Sequence, residues 1–176
     1  GHSGLGDNAR SAIEEAAVVF GGKRHLELAA ASIKGEARAW PVPFDVDVAD
    51  VVALRGQKVC VLASGDPFFY GVGVTLLRKI AAEETVSYPS PSAFSLAASR
   101  LGWALQSVEC VSLHGRSIDL IRPHLHPGAR IIALTSDAKA PALIAGLLSD
   151  CGFGRSGFVL LEALGGEREQ LRRSRA

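Results

Sequence analysis

Val59-Cys60-Val61-Leu62-Ala63-Ser64-Gly65-Asp66-Pro67-Phe68-Phe69-Tyr70-Gly71-Val72-Gly73 passes from an apolar, β-rich run into a short polar loop. Residues 58–63 have the character of a strand in the middle of a parallel sheet, and residues 74–80 resume with helical spacing. The loop between them therefore lies at a strand's carboxyl end, where open α/β sheets place their ligands. Ser64 and Gly65 put little side chain in the way, so backbone N–H and C=O groups can approach a ligand closely. Asp66-Pro67 reads as a helix N-cap and first helical residue, a pair that opens a helix with or without a ligand.

On either side of this stretch the pattern alternates. Residues 7–17 read as a helix capped by Asp7, with Ala9, Ala12, Ile13 and Ala16 as its apolar stripe. Val18-Val19-Phe20 is a short buried strand, and Gly21-Gly22 turns into a helix carrying Lys23, Arg24 and His25. A further strand closes at Trp40. Asp45, Asp47 and Asp50 open a helix ending near Gly56; they lack the glycine and closing glutamate of a calcium loop, and negative charge at a helix start accounts for them.

Beyond the opening stretch, residues 85–88 read as a strand running into Pro89-Ser90-Pro91-Ser92-Ala93. Two prolines so close together stop either element continuing, which places a domain boundary there, with units 4–90 and 91–176. Ser92 then caps a helix to Leu101. Strands are expected over 108–113, 130–134 and 157–162, and helices over 118–125 and 141–150, with Gly165-Gly166 ending the last strand. Repeated βα units predict an α/β fold with mainly parallel sheets.

Composition narrows the function classes. With 176 residues, 48% of them hydrophobic, the chain can bury a sizeable core. A formal charge of +1 provides no global field to draw nucleic acid or a membrane surface, so any anionic ligand must be met locally. Cys60, Cys110 and Cys151 are far apart and have no Cys-x-x-Cys spacing; buried, reduced thiols and a cytoplasmic setting are expected. No apolar run is long enough to span a bilayer and no signal peptide is visible. Gly1-His2-Ser3 read as the remnant of an expression tag.

Five strand ends carry small or polar groups: Ser64-Gly65-Asp66, Ser92-Ala93, His114-Gly115-Arg116, Thr135-Ser136-Asp137 and Glu162. None is specific alone, but together they predict a ligand site lined by backbone. Neither phosphate-loop nor complete dinucleotide glycine motifs occur, Gly4-Leu5-Gly6 being half of the latter. No metal-binding His pair at helical spacing is present, and no metal is expected. His124 and His126 flank a Pro-Gly turn and read as exposed loop residues.

At these residues the chain resembles the tetrapyrrole methylases that use S-adenosylmethionine, and within them the group that methylates C5 of a precorrin in cobalamin biosynthesis. The likeness rests on residues 19–26 (Val-Phe-Gly-Gly-Lys-Arg-His-Leu), residues 62–71 around Gly65-Asp66-Pro67, Pro89-Ser90-Pro91-Ser92-Ala93-Phe94, Ser112-Leu113-His114-Gly115-Arg116, and Leu164-Gly165-Gly166. Gly-Asp-Pro marks the wider family, whereas Gly-Gly-Lys-Arg-His with His-Gly-Arg marks the group.

The resemblance implies two α/β domains with the cofactor in a cleft between them. It implies that Ser64, Gly65, Asp66, Pro67, Phe69 and Tyr70 hold the methionine end of S-adenosylmethionine, with Ser92 and Ala93 closing over it. Thr135, Ser136, Glu162, Ala163 and Leu164 would lie against the adenosine. Lys23, Arg24, His25, His114 and Arg116 would face the carboxylates of a tetrapyrrole substrate, with His114 and Arg116 the candidate catalytic pair. A homodimer and a fused or separate C15-methylating, decarboxylating domain are the implied partners. A sulfonium methyl is already activated, so a site rich in backbone contacts and poor in strong acids suits the chemistry.

Members of the family have a strand and glycine-rich loop before the segment matching Gly4-Leu5, and further strands after the one matching Leu171, so the first and last strands are expected to be missing here. Two other classes stay open: a related methylase acting on a diphthamide precursor or ribosomal RNA, for which His-Gly-Arg is not expected, and a non-catalytic ligand-binding or assembly domain.

Overall fold

In a computed structural model, residues 4–176 are described; the tag reading of Gly1-His2-Ser3 lies outside the described residues. The chain divides into two compact units, Gly1–Ser92 and Ala93–Ala176.

In the first unit, α1 (Asp7–Glu15) leads into β1 (Val18–Gly21), α2 (Lys23–Ala29), β2 (Glu36–Ala39), α3 (Ala49–Val52), β3 (Val59–Val61) and α4 (Gly73–Leu76). β1 is the centre of a three-stranded parallel sheet in the order β2-β1-β3, with Val18 opposite both Glu36 and Val59. The expectation that residues 58–63 form the middle strand is corrected: β1 is buried at every position, whereas β3 is half-buried. Alternation along β1 shows why. Val18 and Phe20 pack with Val48 and Val51, while Val19 packs on the other side with Ile13 and Ala16. A strand covered on both faces reads as a continuous apolar run, and Val18-Val19-Phe20 is the shorter but more completely buried of the two runs.

Three local expectations change. Gly6 is the N-cap of α1, and Asp7 is its first helical residue, where its charge still favours the helix start. Residues 85–88 belong to no strand and are exposed throughout. Asp66 does not cap a helix: its Oδ1 accepts the Phe68 N–H at 2.8 Å and α4 begins only at Gly73. Between them the chain folds back on itself, the Gly73 N–H donating to Pro67 O at 2.9 Å. Gly71 and Gly73 make that fold possible, since a Cβ on either would lie 2.5 or 2.7 Å from the Pro67 oxygen.

In the second unit, α5 (Ala93–Leu101), β4 (Glu109–Ser112), β5 (Ile131–Leu134), α6 (Ala140–Asp150), β6 (Gly157–Glu162) and β7 (Gln170–Arg175) follow in order. β4 and β5 are parallel, with Glu109 opposite Ile131. Val111 and Leu113 pack against Ile121, Ile144, Leu147 and Leu148, and Ile132 packs against Phe94, Ala97 and Ala98 of α5. The expected helix at 118–125 is a 3-10 helix, Ile118–His124, with Pro123 inside it. Proline lacks the N–H of an α-helical ladder, which a short 3-10 run tolerates.

β7 has no counterpart in the sequence reading. It pairs antiparallel to β6, Glu162 opposite Gln170 and Gly157 opposite Arg175. Gln-Leu-Arg-Arg-Ser-Arg has neither apolar alternation nor strand-forming composition, and all six of its residues are exposed. Its pairing comes from the hairpin and not from burial.

Candidate active site

Parallel pairing of β1 with β3 brings their carboxyl ends to one edge of the first unit. The ladder runs one residue past β3, the Leu62 N–H donating to Phe20 O at 2.8 Å. Gly21 and Gly22 end β1, and α2 starts at once with Lys23, Arg24 and His25. A Cβ on Gly21 would lie 3.2 Å from Leu62 Cβ and 3.5 Å from His25 Cβ, so glycine lets the first turn of α2 approach the exit of β3.

That approach produces a contact across the edge: His25 Nε2 and Ser64 Oγ are 2.7 Å apart. Sequence reading placed His25 on the substrate and Ser64 on the cofactor; the fold joins them. Burial pushes the His25 imidazolium toward losing its proton and the neighbouring Arg24 charge pushes the same way, so its pKa lies below the ordinary histidine value. Lys23 and Arg24 are exposed.

Next to Ser64, Gly65 has φ +63°, in the left-handed region that glycine enters without steric cost. Its carbonyl accepts the Ser90 N–H at 3.1 Å, and Ser92 beside it is buried. The loop after β3 is thus tied to the Pro89-Ser90-Pro91-Ser92 segment through backbone. Phe68, Phe69 and Tyr70 follow as exposed aromatics; the rings of Phe69 and Tyr70 are 5.2 Å apart, and Tyr70 adopts φ +58° despite its side chain.

The second unit gathers its candidates in two places. Ser136 Oγ accepts the Gly115 N–H at 2.8 Å, which joins Thr135-Ser136 to the His114-Gly115-Arg116 turn at the carboxyl ends of β5 and β4. Gly115 has φ +66°, His114 and Arg116 are exposed, and the Arg116 N–H closes the turn on Leu113 O at 3.1 Å. Asp137 Oδ1 accepts the Lys139 and Ala140 N–H groups at 2.8 and 3.1 Å, which occupies it with the start of α6.

Glu162, Ala163 and Leu164 form the exit of β6. Leu164 packs with Leu134 and Leu161 around Phe94 and Ile132, so this exit and the end of β5 share one cluster. Ala163 has φ +50°, and the turn beyond it is held by a carboxylate the sequence reading did not single out: Glu169 accepts the Gly165 N–H at 2.7 Å and pairs with both Arg100 Nε and Arg100 Nη2. Glu162 itself is exposed, 3.7 Å from Arg172. Glu169 carries no local motif. Only the hairpin that β7 makes would have pointed to it.

Among the described residues, no three His, Cys, Asp or Glu side chains gather as a metal site, and no helix is long and apolar enough to cross a membrane. Cys60, Cys110 and Cys151 are half-buried, and burial raises the pKa of Cys60 and, with the Glu109 charge, of Cys110.

The family model for Tetrapyrrole (Corrin/Porphyrin) Methylases matches residues 4–176. A decarboxylating precorrin-6Y C(5,15)-methyltransferase of Sinorhizobium sp is 59% identical over 171 residues, which cover 97% of this chain and 41% of that protein. The chain thus spans less than half the length of this relative. A cobalt-precorrin-7 C(5)-methyltransferase of Salmonella typhimurium is 32% identical over 93% of this chain and 80% of its own length. Among solved structures, the precorrin-6Y methylase of Archaeoglobus fulgidus superposes with TM-score 0.63 at 25% identity, covering 97% of this chain and 82% of that one. Uroporphyrin-III C-methyltransferase of Thermus thermophilus, solved in complex with S-adenosylhomocysteine, has TM-score 0.71 at 23% identity, covering 98% and 78% of the two chains, and shares the fold. A match that runs through both units, from the Gly-Gly-Lys-Arg-His edge to the hairpin of β6 and β7, places the chain in the tetrapyrrole methylase family.

Proposed function

We propose that this chain transfers a methyl group from S-adenosylmethionine to C5 of a precorrin in cobalamin biosynthesis. The observation that carries this reading is the likeness to a C(5)-methyltransferase over four-fifths of that protein's length, joined to a parallel β1–β3 edge that brings together the strand ends carrying the candidate residues. In the Sinorhizobium relative, the C15 and decarboxylating activities are assigned in this reading to the sequence that this chain does not match. A homodimer, a fused or separate C15-methylating partner and a cytoplasmic setting belong to the same proposal, as does a division of labour between units 4–90 and 91–176.

Several features of the first unit fit the cofactor's methionine end. Gly65 brings backbone forward where a Cβ would collide with Ser92 and the Pro91 oxygen, and Ser64, Asp66, Pro67 and Ser92 are assigned to the same end of the cofactor. Phe69 and Tyr70 offer exposed apolar surface beside them. In the second unit, Thr135, Ser136, Glu162, Ala163 and Leu164 are assigned to the adenosine. Bound S-adenosylmethionine supplies a methyl group already activated by its sulfonium. The protein's own task is to orient donor and acceptor and to grip carboxylates, for which Lys23, Arg24, His114 and Arg116 are the exposed basic groups at the strand ends.

The test is incubation with methyl-labelled cofactor and precorrins with and without cobalt, followed by location of the new methyl group. Label at C5 is expected. Label at another carbon, or no binding of S-adenosylhomocysteine by calorimetry, overturns the reading.

A further inference from the structure

Methylation of a methine carbon leaves a proton to be removed. C5 of a tetrapyrrole bears one hydrogen; as its electron pair forms the bond to the methyl carbon, the bond from that carbon to sulfur breaks and a neutral thioether leaves. The methylated carbon regains its conjugation only when its C–H bond gives its electrons back to the macrocycle and the proton goes to a base. Resting on the C5-methylation reading, we propose that His25 is that base, with Nδ1 taking the proton, and that Ser64 is the positioning residue that sets its tautomer.

The geometry supports each part. Ser64 Oγ is 2.7 Å from Nε2, and when the hydroxyl accepts, Nε2 carries the proton and Nδ1 is left with a lone pair. Gly22 stands beside Nδ1 and carries no side chain: a Cβ there would lie 3.6 Å from this nitrogen, in ordinary van der Waals contact. Ser64 immediately precedes the Gly65-Asp66-Pro67 loop assigned to the methionine end, so the imidazole is tied directly to the segment that would hold the donor. Burial and the Arg24 charge both favour the neutral ring, the form able to accept a proton near neutral pH. By contrast, His114 is exposed on its turn.

Two measurements test this, one of which needs no activity. Nitrogen-15 NMR of the imidazoles in the chain should show His25 neutral at pH 7 with the proton on Nε2, and Ser64→Ala should shift the tautomer balance toward Nδ1–H. A cationic ring at pH 7, or Nδ1–H in the wild-type chain, overturns the proposal whatever the reaction proves to be. In turnover, His25→Gln keeps a hydrogen-bonding group for Ser64 but cannot take a proton, and should lower kcat by about 100-fold or more with S-adenosylhomocysteine affinity unchanged. Wild-type kcat should fall as pH drops through the His25 pKa, and this acid limb should vanish in the variant. Wild-type kcat and pH profile in His25→Gln would overturn the base while leaving C5 methylation standing. Failure of the wild-type chain to methylate C5, after normal NMR behaviour, would instead overturn the functional reading and the base with it.

Discussion

Gly65 fits against Ser92 with no room for a larger residue: a Cβ on Gly65 would lie 2.8 Å from Ser92 Cα and 3.1 Å from the Pro91 oxygen. With φ at +63°, the position is also strained for any other residue. Gly65→Ala should therefore destabilise the protein by about 1–3 kcal/mol, from backbone strain and the displaced segment, and weaken S-adenosylhomocysteine binding. Thermal unfolding and calorimetric titration read the two effects separately. Wild-type stability would remove the contact, and wild-type affinity would remove the loop from the cofactor site.

Asp66 is open to a sharper test now that α4 is known to begin at Gly73. Its carboxylate holds the Phe68 N–H, a bond that the Asn carbonyl can also accept, so Asp66→Asn should melt close to the wild type and leave α4 intact. If the carboxylate also meets the cofactor's ammonium group, the same variant should bind S-adenosylhomocysteine roughly tenfold or more weakly, as loss of a charge-assisted hydrogen bond implies. Unchanged affinity would confine Asp66 to the turn.

Arg100 and Glu169 predict an acid-side change in stability. The Arg100 hydrogen bond, then the Gly165 N–H, hold the Glu169 carboxyl below its ordinary value. The unfolded chain therefore takes up this proton more readily than the folded one. The stabilisation is fully present above the unfolded pKa of about 4.3 and is lost as pH falls through the lower folded value. Melting temperature followed from about pH 6 down to about pH 3 should drop more steeply in the wild type than in Glu169→Gln. Parallel curves would show that the pair adds nothing to stability.

Arg116 and Arg24 should matter for the tetrapyrrole and not for the cofactor. Both are exposed basic groups beyond a strand end, and the chain's net charge of only +1 leaves recognition of a polycarboxylate to such local groups. Arg116→Ala and Arg24→Ala should each weaken precorrin binding and flatten its dependence on salt, with S-adenosylhomocysteine affinity unaltered. If neither variant changes precorrin affinity or its salt dependence, the basic edge lies outside the substrate site.

Much of the frame was legible because apolar runs and glycine or proline breaks are local signals. Val18-Val19-Phe20, the 130–134 run and Gly157–Glu162 appear as strands close to where they were read, α5 begins where Ser92-Ala93 suggested, and α6 begins at Ala140, one residue before the expected Pro141. What misled were signals with two meanings. Asp66-Pro67 has the composition of a helix start, yet Gly71 and Gly73 let the chain curl back first. Residues 85–88 have strand-forming side chains, yet no neighbouring strand completes a ladder for them.

Residue chemistry alone makes this chain a βα alternation with small, polar residues at its strand ends, because side-chain polarity and backbone freedom at each position act locally. It takes the folded chain to make β1 and not β3 the central strand, to pair Gln170–Arg175 with β6, and to bring His25 to Ser64 39 residues away. Such pairings follow from strand order and register, which depend on the free energy of the whole packed unit and leave no periodic trace in the residues that make them.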